Sequence, residues 1–276
     1  FSAHDKVDGI AFARDMNLYV GGKVRAVSVE REIDLSPSLD GLFEEPEGFS
    51  SWGEVFDNSV PVIREVAKGV YHVGQGRSYS LFVDAGDHFI AAGGEGDLGA
   101  KLAQVQAYSG RDKPLGYMII THPHSEHIGA VAEAVSMGAV IVAARTHAAA
   151  IRESLPAGTP AEQIISVDGD ASLGGGAVRL FDIATAHSNA YLLVHLPAHG
   201  LLFGEDHFET QLRTAVPRVH QDMVNFRHAV DALGIDVTHL LDGHSQRMLT
   251  VAELRAATDA FTKVACPDGF RICTKG

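Results

Sequence analysis

A chain of 276 residues in which 46% are hydrophobic and 21% charged carries enough apolar side chains for one large α/β unit plus an appendage. Its formal charge of −13, from 22 Lys+Arg against 35 Asp+Glu, and the lack of any Lys/Arg-rich block argue against nucleic acid as a partner. No apolar run reaches the ~18–20 residues a membrane helix needs, so no membrane partnership is expected.

In chain order, the opening at Phe1 shows neither an initiator Met nor a signal-like apolar stretch, as expected of a processed mature form or a fragment. The patches Ile10–Phe12, Leu18–Val20 and Val24–Ile33 predict short strands, with Gly21-Gly22 as a hairpin turn. Two or three strands bury little alone, so residues 1–36 are expected to form a β appendage resting on the main domain or on a second subunit, a route to a homo-oligomer. Residues 37–60 have the Pro, Gly and acidic composition of a linker, with Leu42, Phe43, Phe49, Trp52 and Phe56 as packing anchors. The main domain, 61–276, opens with strands at Val62–Val66, Val70–Val73, Ser80–Val83 and His88–Ala92, and a helix over Leu98–Tyr108. The glycine-rich stretch Gly94–Gly99 lacks the spacing and the Lys of a nucleotide-binding loop.

Tyr117–Ile120 then reads as a short buried strand, and Pro123 stops the following residues from continuing a ladder or a regular helix. Directly after the strand come Thr121-His122-Pro123-His124-Ser125-Glu126-His127. Three imidazoles and a carboxylate on one loop at a strand end are a candidate metal site, of a donor type that suits zinc and tolerates iron or manganese. Beyond it, helices are predicted over Gly129–Met137, Thr146–Ser154, Met223–Leu233 and Val251–Val264, and strands over Val140–Ala143 and Val178–Ile183. His147, His195 and His199 fit no ligand position; His147 is expected at the surface or at a helix cap, and the other two are expected to face solvent. Cys266 and Cys273 are the only cysteines. They read either as a disulfide closing a terminal loop, worth about 2–3 kcal/mol by loop entropy, or as two thiols of a cytosolic protein. A disulfide would suit a periplasmic or secreted location.

The loop at 122–127 resembles the His-x-His-x-Asp-His signature of the metallo-β-lactamase fold superfamily, with Glu126 standing where that family has Asp. Ala186-His187-Ser188-Asn189, Gly204-Glu205-Asp206 and Asp242-Gly243-His244 follow in the family's order, so the resemblance spans residues 62–262. It implies a four-layer αββα sandwich with a short N-terminal β appendage. It further implies a first metal held by His122, His124 and His187, a second held by Glu126, His127 and His244, and Asp206 bridging them. Glu126 and Asp206 would be the carboxylates of the catalytic centre, and two Zn2+ the cofactors. The implied activity is hydrolysis of an ester, lactone, thioester, amide or phosphoester of a small molecule by metal-activated water. A di-iron redox or binding protein on the same ligands, or β-lactam hydrolysis as a minor activity, is the alternative. The longer Glu126 leaves open a tightly held first ion beside a labile second one.

Overall fold

The computed structural model describes residues 1–20, 22–28, 31, 33–44, 54–208, 212–214 and 219–262. The chain divides into two compact units, Phe1–Ser51 with Val264–Gly276 and Trp52–Lys263. In the first, β1 (Ser2–Val7), β2 (Ile10–Val20) and β3 (Lys23–Ser28) form an antiparallel sheet in that order. The expected patches at 10–12 and 18–20 are parts of one strand, β2, which turns into β3 at Gly22 (φ 74°). Strand β1 escapes the sequence reading because Ser-Ala-His-Asp-Lys-Val has no apolar alternation, and most of it is exposed.

The second unit carries two further sheets. One has seven strands, β4 (Val62–Ala67), β5 (Val70–Gln75), β6 (Ser78–Asp84), β7 (Phe89–Ala92), β8 (Leu115–Ile120), β9 (Val140–Ala144) and β10 (Ile164–Val167). They lie in the order β10-β9-β8-β7-β6-β5-β4. Strands β4 to β7 are an antiparallel meander, whereas β7 to β10 run parallel. Parallel neighbours need crossovers, supplied by α1 (Leu98–Ser109), α2 (Val131–Ser136) and α3 (Arg145–Glu153). The other sheet has six strands, β11 (Asp170–Leu173), β12 (Val178–Ile183), β13 (Tyr191–Leu196), β14 (Leu201–Phe203), β15 (His239–Leu241) and β16 (Leu249–Thr250), ordered as in the chain. Helix α4 (Gln221–Ala232) joins the parallel pair β14 and β15, and α5 (Val251–Asp259) follows β16 behind a Thr250/Glu253 capping box.

Side-chain alternation sorts these elements into four layers. Leu81 and Val83 of β6, Ile119 of β8, and Leu192 and Val194 of β13 meet between the sheets. Phe82, Met118 and Ile120 point the other way, onto Leu98, Leu102 and Val105 of α1 and Val131 and Ala134 of α2. Tyr191 and Leu193 face Met223, Phe226 and Leu254 on the far side. Helices therefore cover both outer faces, and the expected αββα sandwich is the observed one. Each large side chain buried there contributes about 1.5–3 kcal/mol.

Three sequence expectations are corrected by this packing. His195 does not face solvent: β13 is buried on both faces, and His195, 3% exposed, sets Nε2 2.9 Å from the Asp236 carbonyl. His199 is exposed, as expected. The helix after the metal loop is only Val131–Ser136, because residues 124–128 already form a turn of their own. The last helix ends at Asp259 within the described residues. Cys266 and Cys273 lie outside the described residues, as does Phe49 and Trp52 of the linker. No described helix is long and apolar enough to cross a membrane.

Candidate metal centre

Strands β8, β14 and β15 run parallel or are joined so that their C-terminal ends open on one edge of the sandwich, where loops rather than ladders satisfy the chain. Strand β8 is an apolar run that ends at Ile120, directly before Thr121. Pro123 follows, and His127 and Ile128 then donate backbone bonds to the His124 carbonyl at 3.0 and 3.2 Å. This turn returns His127 to the interior while leaving His124 partly open. The backbone N–H of Leu192 in β13 donates to the Thr121 carbonyl at 2.9 Å, stitching the two sheets together at the site. His187 lies on the β12–β13 loop, whose backbone N–H groups at 187 and 188 both donate to the Thr185 hydroxyl at 3.2 Å. Asp206 follows β14, its backbone N–H held by the Tyr191 hydroxyl at 3.2 Å. His244 follows β15.

Six of the seven residues expected from the sequence converge. His122 Nε2 stands 3.0 Å from both His124 Nδ1 and His187 Nε2. Asp206 Oδ2 lies 3.1 Å from His122 Nε2, 2.9 Å from His187 Nε2 and 3.0 Å from His127 Nε2. Its other oxygen is 3.0 Å from His244 Nε2. Nitrogens of three imidazoles facing one another at such distances cannot all be donors to each other. A tetrahedral cation with Zn–N bonds of ~2.0–2.1 Å would hold its ligands about 3.3 Å apart, so the spacing fits one between them. His122, His124, His127 and Asp206 each bring one ligand atom within 4.8 Å of all the others. The donors are imidazole and carboxylate, the set that zinc accepts.

The seventh residue is not brought in. Glu126 is about half exposed, with Oε1 4.0 Å from His124 Nδ1 and Oε2 accepting from the Ser125 hydroxyl at 3.1 Å. It lines, with Arg77, Ser78, Glu95, Ser125 and His244, an open cleft of about 580 Å³ beside the cluster.

The electrostatics divide the cluster. Burial is the main influence on His122 and holds its imidazole down to about 4 despite Asp206, so it is neutral. Burial also opposes the charged forms of His127 and His244, but carboxylates outweigh it. Asp206 and Glu205 push His127 up to about 10, and Asp206, Glu95 and the Arg77 carbonyl push His244 up to about 11. Asp206 resists its own burial through His122, His127, His187 and His244 and lies far below the usual carboxylate range.

Several groups at the centre carried no sequence signal. Glu205 is 1% exposed, with Oε1 2.8 Å from His127 Nδ1 and Oε2 accepting from the Thr121 hydroxyl. Glu95 has Oε1 2.9 Å from His244 Nδ1. His207, buried and pushed down to about 3 by that burial, stacks on Phe226. His147, which was expected at the surface or a cap, sets Nε2 3.1 Å from the Ala190 carbonyl and 3.2 Å from the Ser188 hydroxyl, bracing the His187 loop.

No protein-family model and no curated protein matches the sequence. Solved structures do match the fold. The metallo-β-lactamase FIM-1 from Pseudomonas aeruginosa, in a mono-zinc form, is 18% identical, with a TM-score of 0.56 over 74% of this chain and 96% of that one. A metallo-β-lactamase from Pontibacter korlensis is 16% identical, with a TM-score of 0.56 over 73% of this chain and 100% of that one. One from Hirschia baltica is 17% identical, with a TM-score of 0.53 over 72% and 96%.

Proposed function

Given a chain with the metallo-β-lactamase fold, we propose that it is a metal-dependent hydrolase holding two cations, most simply zinc. His122, His124 and His187 would hold the first and His127 and His244 the second, with Asp206 available to both. The observation that carries this reading is the meeting of five imidazole nitrogens around one buried carboxylate, with both its oxygens engaged. Bound zinc would make a water acidic enough to attack at neutral pH and would stabilise the anion formed on an acyl or phosphoryl centre.

The chain's own residues prepare the site for this. Burial keeps His122 unprotonated, so its Nε2 lone pair is ready for a cation. Asp206 stays ionised and offsets part of the positive charge brought together there. The open cleft at the Glu126 side admits a small-molecule ester, lactone, thioester, amide or phosphoester. Glu126 can serve as a terminal ligand only if its side chain turns away from Ser125; where it stands, it is a carboxylate at the cleft rim. β-Lactam turnover is kept in this proposal only as a minor activity.

The test is a screen of nitrocefin, lactones, thioesters and bis-p-nitrophenyl phosphate with metal-free protein and at two zinc loads. Hydrolysis that rises with zinc supports the reading. Iron with visible absorbance and no hydrolysis would support the di-iron alternative instead. An extracytoplasmic setting, and a small-molecule substrate without nucleic-acid or membrane partners, belong to the same proposal. Its location is checked by titrating the thiols of Cys266 and Cys273 under denaturing, non-reducing conditions: two free sulfhydryls would remove the disulfide argument.

A further inference from the structure

Two buried carboxylates at the centre have no place in the ligand set just given, and both stand behind histidines rather than among the converging atoms. Glu205 is 1% exposed and immediately precedes Asp206. Its backbone adopts the left-handed conformation, φ 46°, which a residue with a side chain rarely takes. The turn is built around it. The backbone N–H of Gly243 donates to the Glu205 carbonyl at 3.1 Å, and a Cβ on Gly243 would come within 2.8 Å of Glu205 Cγ.

The Glu205 carboxylate then faces two groups at once. Oε2 accepts from the Thr121 hydroxyl, and Oε1 lies 2.8 Å from His127 Nδ1, off the line of an ideal hydrogen bond. Thr121 Oγ1 is also 3.0 Å from His122 Nδ1. A hydroxyl has one proton. With that proton given to Glu205, Thr121 can only accept from His122, which places the His122 proton on Nδ1 and frees Nε2. The same carboxylate keeps the His127 proton on Nδ1.

Glu95 repeats the arrangement from the other sheet. It is 9% exposed, and its Oε1 lies 2.9 Å from His244 Nδ1. Its loop is wedged against the metal loop. Gly94 accepts from the Ala130 N–H at 2.9 Å, and a Cβ on Gly94 would stand 1.8 Å from the His127 carbonyl oxygen. The buried Lys101 ammonium fastens the Glu95 carbonyl at 3.2 Å while also donating to the Ser78 and Ser80 hydroxyls. The glycine-rich stretch that lacks nucleotide-binding spacing thus has a different use: it carries Glu95 to the back of His244.

We infer that Glu205 and Glu95 are positioning residues for the second cation, holding the Nδ1 protons of His127 and His244 so that both Nε2 atoms face Asp206, and supplying the negative charge that the outlying Glu126 does not. The inference rests on the two-cation reading above. Carboxylates that hold the remote nitrogen of a ligating histidine fix its tautomer and raise its basicity. Glu205→Gln is the more severe change, because an amide oxygen cannot serve both Thr121 and His127 without turning its NH2 onto one of them. Glu95→Gln removes only charge, since the Arg77 carbonyl, 2.8 Å from His244 Nδ1, remains as an acceptor.

The experiment is a calorimetric zinc titration of the metal-free full chain, with a parallel cobalt titration followed by visible absorption, on the parent, Glu205→Gln and Glu95→Gln. We expect two equivalents in the parent and a second equivalent weakened about 10–100-fold in each variant, more in Glu205→Gln. The first equivalent stays within about threefold in Glu95→Gln. The visible band of the second cobalt shifts in both variants even at saturation, which a purely structural loss would not produce. If Glu205→Gln does not fold, Glu95→Gln alone decides. A parent that binds a single cation overturns this inference together with the two-cation reading. A parent that binds two, with both variants unchanged in affinity and spectrum, overturns this inference and leaves that reading standing.

Discussion

The two halves of the centre use the same side chain in different ways. Around His122 the imidazoles face each other, the back of His122 rests on the Thr121 hydroxyl, and burial holds His122 down to about 4. At His127 and His244 each back meets a buried glutamate, and the imidazoles are pushed up to about 10 and about 11. Burial leaves His122 a neutral ligand, whereas Asp206 together with a glutamate at the remote nitrogen holds His127 and His244 as cations that must first release a proton.

The largest expected effect separates the halves by deletion. His122→Ala removes the nitrogen that lies within 3.1 Å of His124, His187 and Asp206 alike, and should cost the first cation and about 10³-fold or more in kcat/KM for any substrate found. His244→Ala should cost the second cation and leave the first. Elemental analysis after dialysis checks both, and equal losses in the two variants would erase the distinction between the halves.

A second prediction concerns pH. His127 and His244 have folded pKa values above the ordinary ~6.5 of histidine, so in the metal-free protein their contribution to stability is complete below about 6.5 and is lost as pH rises through about 10 to 11. At pH 8 both still hold protons, and a second cation has to displace them. Zinc titrations in buffers of different ionisation enthalpy should therefore register release of close to two protons at pH 8. The melting temperature of the metal-free protein should fall between pH 7 and 11. No proton release at pH 8 would contradict the carboxylate-backed half.

The smallest effect is expected at Glu126. A carboxylate about half exposed and 4.0 Å from an imidazole contributes about 0–1 kcal/mol. Glu126→Gln should then shift the affinity for either cation less than about fivefold, measured by the same titration. A loss of one whole equivalent would show that the side chain turns inward when metal is present.

How much of this was legible in the chain follows from the kind of signal each part carries. The apolar run before Thr121, the proline at 123 and the clustered histidines locate a buried strand's end and its donors. Burial on both faces of β13 is why His195 misleads: in a run such as Tyr191–Leu196 a polar residue goes inside with its neighbours and finds a backbone partner. Glu95 and Glu205 were not legible. Each is an acidic residue beside a glycine with no ligand spacing of its own, and its meaning arises only when β14, the β7–α1 loop and the metal loop are brought together. Glu126 shows the opposite: its place in the motif suggests a ligand, yet its carboxylate lies at the cleft rim and accepts from the Ser125 hydroxyl.

The central claim, that five histidines and Asp206 form a two-cation hydrolytic site, is tested most directly by reconstitution. Metal-free protein is titrated with zinc while hydrolysis of the best substrate from the screen is followed in the same samples. The account predicts no turnover without metal, binding that saturates at two equivalents, and activity that rises with loading. Turnover by the metal-free protein at the reconstituted rate, or the absence of any tight zinc binding, would contradict it.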